Sequence, residues 1–215
     1  MLSFEAKKNV SFRKIKEFCE LNQIKINNIE EFVILLLQEN HNFNFIGKST
    51  ISDIWDRHIL DSAQILQYIP DFSVKIADLG SGAGFPGIII SILGAKEVHL
   101  IEKSVRKCEF LRKAKLLSSN RLFVHQARIE ELEDQKFDVL TSRALASLDK
   151  LLDYNLKFVK NGGYGLFLKG RNLDIELQEA KKSFDFKFEL YPSLTSEESR
   201  IIKVWEVSKI KQNKI

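Results

Sequence analysis

The chain has 215 residues, 44% of them hydrophobic, with a net charge of +4 and two cysteines. That length suits one large domain, or a main domain with a small extension, and the apolar fraction is enough for a sizeable core. Its longest apolar run, Phe32-Val33-Ile34-Leu35-Leu36-Leu37, is six residues, against the about 20 a spanning helix needs, so no membrane is expected.

No signal-peptide pattern opens the sequence, and Cys19 and Cys108 are isolated. A reducing cytoplasm is therefore expected, with no zinc or other metal site and no disulfide framework. The mild positive balance permits a polyanionic partner without demanding one. A monomer is the expected state.

Residues 1–70 read as a helical cap. Phe12, Ile15, Lys16 and Cys19 share one face, with Phe18, Leu21 and Ile24 flanking it. A second helix is predicted over 29–38 and broken by His41-Asn42-Phe43-Asn44. A third, over 52–68, places Ile54, Ile59, Ala63 and Leu66 near one face before Pro70-Asp71 closes the segment.

From residue 71 the pattern alternates. Strands are predicted at 74–79, 98–102, 122–126, 137–141 and 164–169, with helices at 86–93, 104–118, 129–133, 147–159 and 173–183. Such alternation implies right-handed crossovers and a parallel sheet with helices on both faces. The last two strands, 187–191 and 201–207, are separated by nine residues, too few for a parallel crossover, so they pair antiparallel. The expected fold is α/β: a Rossmann-like, seven-stranded S-adenosylmethionine-dependent methyltransferase sheet with an antiparallel C-terminal hairpin, plus the N-terminal helical extension. The expected division is 1–70 for the cap, 71–208 for the cofactor-binding domain and 209–215 for a basic tail, where disorder is confined.

The segment Gly80-Ser81-Gly82-Ala83-Gly84-Phe85-Pro86-Gly87 holds four of the ten glycines, directly after Asp78-Leu79. Glycine permits positive φ and close approach of backbone to a ligand, and Pro86 suits the first position of the following helix. Two parses are open. Gly82-x-Gly84-x-x-Gly87 with Glu102 satisfies a dinucleotide pattern, which an NAD(P)-dependent oxidoreductase would use. Asp78-x-Gly80-x-Gly82-x-Gly84 is the acidic-glycine turn of S-adenosylmethionine sites; it uses Asp78 and fits the terminal hairpin better. In that parse Glu102, ending the next strand, accepts hydrogen bonds from the ribose diol; its structural alternative is a pairing with Lys103 or Arg106. Ile129 and Glu130, after the third strand, either border the adenine or simply open a helix with acids in its first turn.

Arg143 follows the fourth strand, and Lys169-Gly170-Arg171 the fifth. Ligands bind outside the carboxyl ends of strands in such sheets, so these cations either meet an anionic substrate or are solvated loop charges. Arg143 is the candidate catalytic residue, in a positioning role. The sequence after the fourth strand, Thr141-Ser142-Arg143-Ala144, lacks the Asn/Asp-Pro-Pro-aromatic motif of exocyclic amino methyltransferases, and neither cysteine sits where C5-pyrimidine chemistry needs one. A ring nitrogen with its own lone pair, such as guanine N7, requires no proton removal and leaves catalysis to positioning and desolvation. Arg106 and Lys107 belong to a cation-rich helix, 103–115, that is either a solvated face or an RNA contact. His58, beside Arg57, is either structural or part of the site.

Asp78 to Gly87, Arg57-His-Ile-Leu-Asp-Ser62, Ser142-Arg-Ala144 and Leu168-Lys-Gly170 together resemble the ribosomal RNA small subunit methyltransferase G family, also called glucose-inhibited division protein B. The resemblance runs from Asn44 to Trp205, and the Phe-Pro-Gly in the glycine loop is its specific motif. It implies N7-methylation of one guanine in the 530 loop of 16S rRNA, with S-adenosylmethionine as cofactor and rRNA or the small ribosomal subunit as partner. Cofactor contacts would fall on Gly80, Phe85, Ile129, Glu130 and Arg143, with Glu102 at the strand-end acidic position; Ser81 lies within the same turn. From charge and position rather than from the resemblance, the candidate RNA contacts are Arg57, His58, Lys169, Arg171, Arg106 and Lys107. Asn44-Phe45-Ile46 departs from the family's usual Asn-Leu-Thr or Asn-Leu-Ile, in a segment that touches RNA or packs the cap. A non-catalytic RNA-binding module on the same fold is the remaining alternative.

Overall fold

The computed structural model describes residues 10–133 and 135–210. Seven strands form one sheet in the order β3-β2-β1-β4-β5-β7-β6. β1 (Lys75–Leu79), β2 (Glu97–Glu102), β3 (Arg121–Gln126), β4 (Phe137–Arg143) and β5 (Val159–Lys169) run parallel, and β7 (Arg200–Lys209) lies antiparallel between β5 and β6 (Phe184–Pro192). The helices are α1 (Val10–Leu21), α2 (Asn27–Phe43), α3 (Asp61–Ala63), α4 (Gly87–Ile92), α5 (Val105–Ala114), α6 (Leu148–Phe158) and α7 (Leu173–Ala180).

Side chains alternate across the pleat, so each strand feeds two cores. Ile76, Val98, Leu100, Leu122, Val139 and Leu166 face one side, where Phe12, Ile15, Phe32, Leu36 and Ile59 from the cap join Ile88 and Leu111. Ala77, Leu79, Ile101, Leu140 and Phe167 face the other, against Leu148, Leu151, Leu152 and Leu177 of α6 and α7. A register shift between Phe137 and Val139 sends these two residues of equal parity to opposite cores. The cap thus shares one apolar layer with the sheet. Each fully buried Phe or Ile in it is worth about 1.5–3 kcal/mol.

The elements match the sequence reading with several corrections. α2 does not break at 41–44: it continues to Phe43 and stops where Asn44 turns left-handed (φ 47°) and donates its N–H to the Asn40 carbonyl. Asn is the residue besides glycine that tolerates this cap. Buried Asn40 also accepts the Ile46 N–H on its Oδ1 at 2.8 Å, so the polar run is itself the helix terminus. Phe45 stacks on Phe110 with ring centroids 4.8 Å apart, which packs that segment against α5. The stretch 52–68 is not one α-helix: a π-helical turn, Trp55–Leu60, precedes α3 and a 3₁₀ turn, Gln64–Tyr68. Lys16 and Leu21 are exposed, unlike Phe12, Ile15 and Cys19. α4 begins at Gly87, with Pro86 as its cap rather than its first residue. Residues 129–133 give only the 3₁₀ turn Ile129–Glu131, and β5 starts at Val159, directly after α6. The basic tail falls mostly outside the described residues, although Lys209 belongs to β7, paired with Phe184.

Candidate active site

Strand order reverses between β1 and β4, and a crevice opens outside the carboxyl ends of strands at such a switch point. The glycine turn leaves β1 at that edge, and Arg143 ends β4 beside it. Gly80, Gly82 and Gly84 have φ of 67°, 56° and 94°. The turn closes on itself: Gly84 donates its N–H to Ser81 O at 2.7 Å, and Ser81 N–H reaches Ile101 O on β2.

Glu102 fixes the turn from β2. Its Oε2 accepts the Gly82 N–H at 3.0 Å and its Oε1 the Ser104 N–H at 2.8 Å. The carboxylate is thus pinned by backbone, not paired with Lys103 or Arg106, and each oxygen retains a lone pair for a ligand hydroxyl. Asp78 and Ser81 lie beneath the turn. Asp78, with no exposure, accepts from the Gly87 N–H at 3.1 Å and the Thr141 hydroxyl at 3.2 Å. Burial pushes its carboxyl up to about 7 despite those bonds. The Ser81 hydroxyl donates to Asp78 O. Both residues shape the turn from beneath, and at Gly82 its surface is bare backbone. Such a surface, faced by an acid with spare lone pairs, fits a nucleoside carrying a ribose diol and an amino-acid tail.

Arg143 is held by the cap. Its Nη1 donates to the Arg57 carbonyl at 2.7 Å and to Asp61 Oδ2 at 3.2 Å, and its Nη2 donates to His58 Nδ1 at 2.8 Å. Its guanidinium lies 4.9 Å from the Phe85 ring, on which His58 also stacks at 4.9 Å. An arginine only donates, so His58 Nδ1 is an acceptor and its proton sits on Nε2, directed at Thr50 Oγ1 2.9 Å away. Burial, then the charges of Arg143 and Arg57, push the imidazole down to about 4, so it is neutral at physiological pH. Asp61 Oδ1 accepts from Gln64 Nε2 (2.8 Å) and the Thr195 hydroxyl (2.9 Å). The Gln64 amide also meets Ser193 Oγ and the Leu194 N–H. One carboxylate therefore joins the cap, the β4 end and the β6–β7 loop.

These elements enclose a cavity of about 1140 Å³. Arg57, His58, Arg143, Arg171 and Arg200 line it, with Leu145 and Ile175 as its exposed aliphatic side chains. Lys169, although at the cavity, is nearly buried: it bridges Glu176 at 2.5 Å and donates to Ala146 O at 2.8 Å. Glu130 turns away, toward the Tyr154 hydroxyl (2.5 Å) and Lys150 (3.3 Å), which with the tyrosine bond foremost bring its carboxyl down to about 2. Ile129 is buried in the core beneath α6. On α5, Arg106 lies over the Phe43 ring at 4.4 Å, while Lys107 is half-buried. Sequence reading passed over Asp61, Gln64, Thr195, Arg200 and Leu145. Only Asp61 had a signal, its place in the Arg57-to-Ser62 motif.

The glycine turn after β1, the acid ending β2 and the antiparallel insertion of β7 define the Rossmann-like fold of S-adenosylmethionine-dependent methyltransferases, not an all-parallel dinucleotide dehydrogenase sheet. Solved structures of that class superpose: the glycopeptide N-methyltransferase MtfA complexed with S-adenosyl-L-methionine (TM-score 0.58, 12% identity, 68% of this chain and 93% of that one), and a ribosomal protein L11 methylase from Lactobacillus delbrueckii subsp. bulgaricus (TM-score 0.56, 18% identity, 68% and 76%). At residues 25–201 the sequence matches the family model described as rRNA small subunit methyltransferase G. Proteins named ribosomal RNA small subunit methyltransferase G are 40% identical over 185 residues in Rickettsia felis (86% of this chain, 95% of that protein), and 38% over 182 residues in Rhodospirillum rubrum (85% and 90%). The chain belongs to the rRNA small subunit methyltransferase G family.

Proposed function

We propose that the chain methylates guanine N7 in the 530 loop of 16S rRNA, at guanine 527 as the family resemblance implies, acting as a cytoplasmic monomer with S-adenosylmethionine. Bound in the cleft, that cofactor would supply an electrophilic methyl on a sulfonium. The backbone of Gly80, Gly82 and Gly84 would border its amino-acid portion, and Glu102 would take the ribose hydroxyls. Ile129 and the Glu130 backbone would border the adenine. Phe85 and Arg143 stand at the cavity end of the turn.

The observation that carries the choice of N7 is the state of the proton acceptors. His58 Nδ1 already accepts from Arg143, Asp61 from Arg143, Gln64 and Thr195, and Glu176 from Lys169 and the Leu148 N–H. The remaining carboxylate, Glu198, is exposed at the rim. A site whose inner bases are all engaged suits a nucleophile that needs no deprotonation, and guanine N7 is one. The chain's work is then positioning and water exclusion. The cavity, at about 1140 Å³, is larger than the ~300–1,000 Å³ of small-molecule pockets, and its arginines suit a phosphodiester strand. Arg57 and Arg171, which line the cavity, would meet RNA there, and Arg106 and Lys107, on α5 outside it, would be further contacts; His58 and Lys169 would act from behind, through Arg143 and Ala146.

The test is methyl transfer from labelled S-adenosylmethionine to small subunits and to naked 16S rRNA from cells lacking the protein, followed by mapping of the modified base. Label on guanine N7 in the 530 loop is expected. Label on another base or atom overturns the proposal.

A further inference from the structure

Beyond Arg143 the β4–α6 connection makes an abrupt turn. Ala144 sits in the left-handed region at φ 53°, a conformation unfavourable for a non-glycine residue that persists only where the surroundings enforce it. Here they do. On one side Arg143 is held by Arg57, His58 and Asp61; on the other, Lys169 grips the Ala146 carbonyl and Glu176 accepts the Leu148 N–H at 2.7 Å. The residue left at the apex is Leu145, which is 37% exposed. Its side chain lies against Gly80: a Cβ added there would be 2.5 Å from Leu145 Cδ1. The same side chain lines the cavity on its other flank. A rigid, strained turn thus holds a half-exposed aliphatic group between the first glycine of the donor turn and a recess whose lining includes four arginines, Arg57, Arg143, Arg171 and Arg200.

Enzymes that act on a base within a folded nucleic acid take it out of the stack and hold its face against aromatic or apolar side chains, and single-stranded RNA bases are bound the same way. Resting on the function proposed above, we propose that Leu145 is the wall on which the acceptor purine lies, a substrate-positioning side chain that sets the base edge-on to the donor turn while the surrounding arginines hold the phosphates. Among the described residues Leu145 belongs to neither apolar core, and the packing contact it makes is with Gly80.

The test uses the full chain with Leu145→Ala and Leu145→Phe. Titration calorimetry gives the Kd of S-adenosylhomocysteine, and methyl transfer gives KM and kcat with small subunits from cells lacking the protein. Leu145→Ala is expected to lower kcat/KM for subunits at least tenfold while the S-adenosylhomocysteine Kd and the unfolding midpoint stay within twofold and 2 °C or so of wild type. Leu145→Phe, which restores an apolar face, is expected to recover most of that loss. Unchanged kcat/KM in Leu145→Ala overturns the assignment. Equal weakening of S-adenosylhomocysteine places the side chain on the cofactor and also overturns it. A wild-type protein that labels no RNA overturns this inference together with the function it rests on.

Discussion

Arg143, Asp61 and His58 form a small charge-balanced unit at the mouth of the cleft. Arg143 and Asp61 side chains are 19% and 15% exposed, so removing one charge leaves the other poorly solvated. Asp61→Asn is therefore expected to cost about 1–3 kcal/mol in urea unfolding, and to reduce methyl transfer through a misplaced guanidinium. An unchanged unfolding free energy would show that solvent already screens the pair. His58 gives a pH signature. Its folded-state value of about 4 is below its ordinary 6.5, so between those limits the unfolded chain binds a proton that the fold refuses. Stability contributed by neutral His58 is complete above pH 6.5 and is lost as pH falls toward 4. His99, also held near 4 chiefly by burial, acts in the same direction. Asp78, raised to about 7 by burial, opposes them over the same range, but two histidines outweigh one carboxyl, so urea midpoints are expected to fall between pH 7 and pH 5, and His58→Gln to flatten or reverse that fall; an equally steep fall in the variant would assign it to other groups.

At the scale of elements, the glycine turn separates two reasons for having glycine. Gly82 needs its left-handed backbone, and a Cβ there would find nothing nearer than 3.8 Å. Gly82→Ala should cost about 1–2 kcal/mol of backbone strain and still fold. Gly87 begins α4 against β2, and a Cβ there would lie 2.2 Å from Leu100 Cδ2 and 2.7 Å from Asp78 Oδ2. Gly87→Ala must displace both, and overpacking of this kind costs about 1–3 kcal/mol, occasionally more. Denaturant titration is expected to rank Gly87→Ala as the more damaging. The reverse order would mean that Leu100 can move aside. Sequence alone could not rank the two, because both are simply glycines in one run. The π-helical turn Trp55–Leu60 was equally illegible: hydrophobic spacing over 52–68 reads as an ordinary helix, and the wide turn that brings Arg57 O, His58 and Asp61 to Arg143 leaves no period of its own.

At the scale of the molecule, cap and sheet meet through aromatic contacts. Phe32 of α2 lies 5.6 Å from Phe85 in the glycine turn and 6.1 Å from Phe110 of α5. Phe32→Ala is expected to cost about 3–5 kcal/mol and to weaken S-adenosylhomocysteine binding, since Phe85 loses its backing; a stability loss with intact binding would uncouple cap from cleft. If the arginine-lined face meets phosphates as proposed, subunit affinity is expected to fall steeply with salt, and Arg171→Ala to lower the slope of log affinity against log salt by about 1. An unchanged slope would remove Arg171 from the phosphate path.

Strand and helix order, the antiparallel end of the sheet, the glycine turn with Glu102, and Arg143 at a strand end were all readable from the chain. Each is written locally, in hydrophobic period, loop length or residue type, and local rules are what a sequence displays. Which groups meet in space, from 7 residues apart (Lys169 and Glu176) to 134 (Asp61 and Thr195), was decided by the fold. The Asp61 carboxylate between Arg143 and Thr195, Lys169 withdrawn into a pair with Glu176, Glu130 turned to Tyr154, and Leu145 laid on Gly80 all depend on which elements pack together. A side chain's charge state and partners are set by its neighbours in space, and those are known only once the sheet has brought the distant segments together.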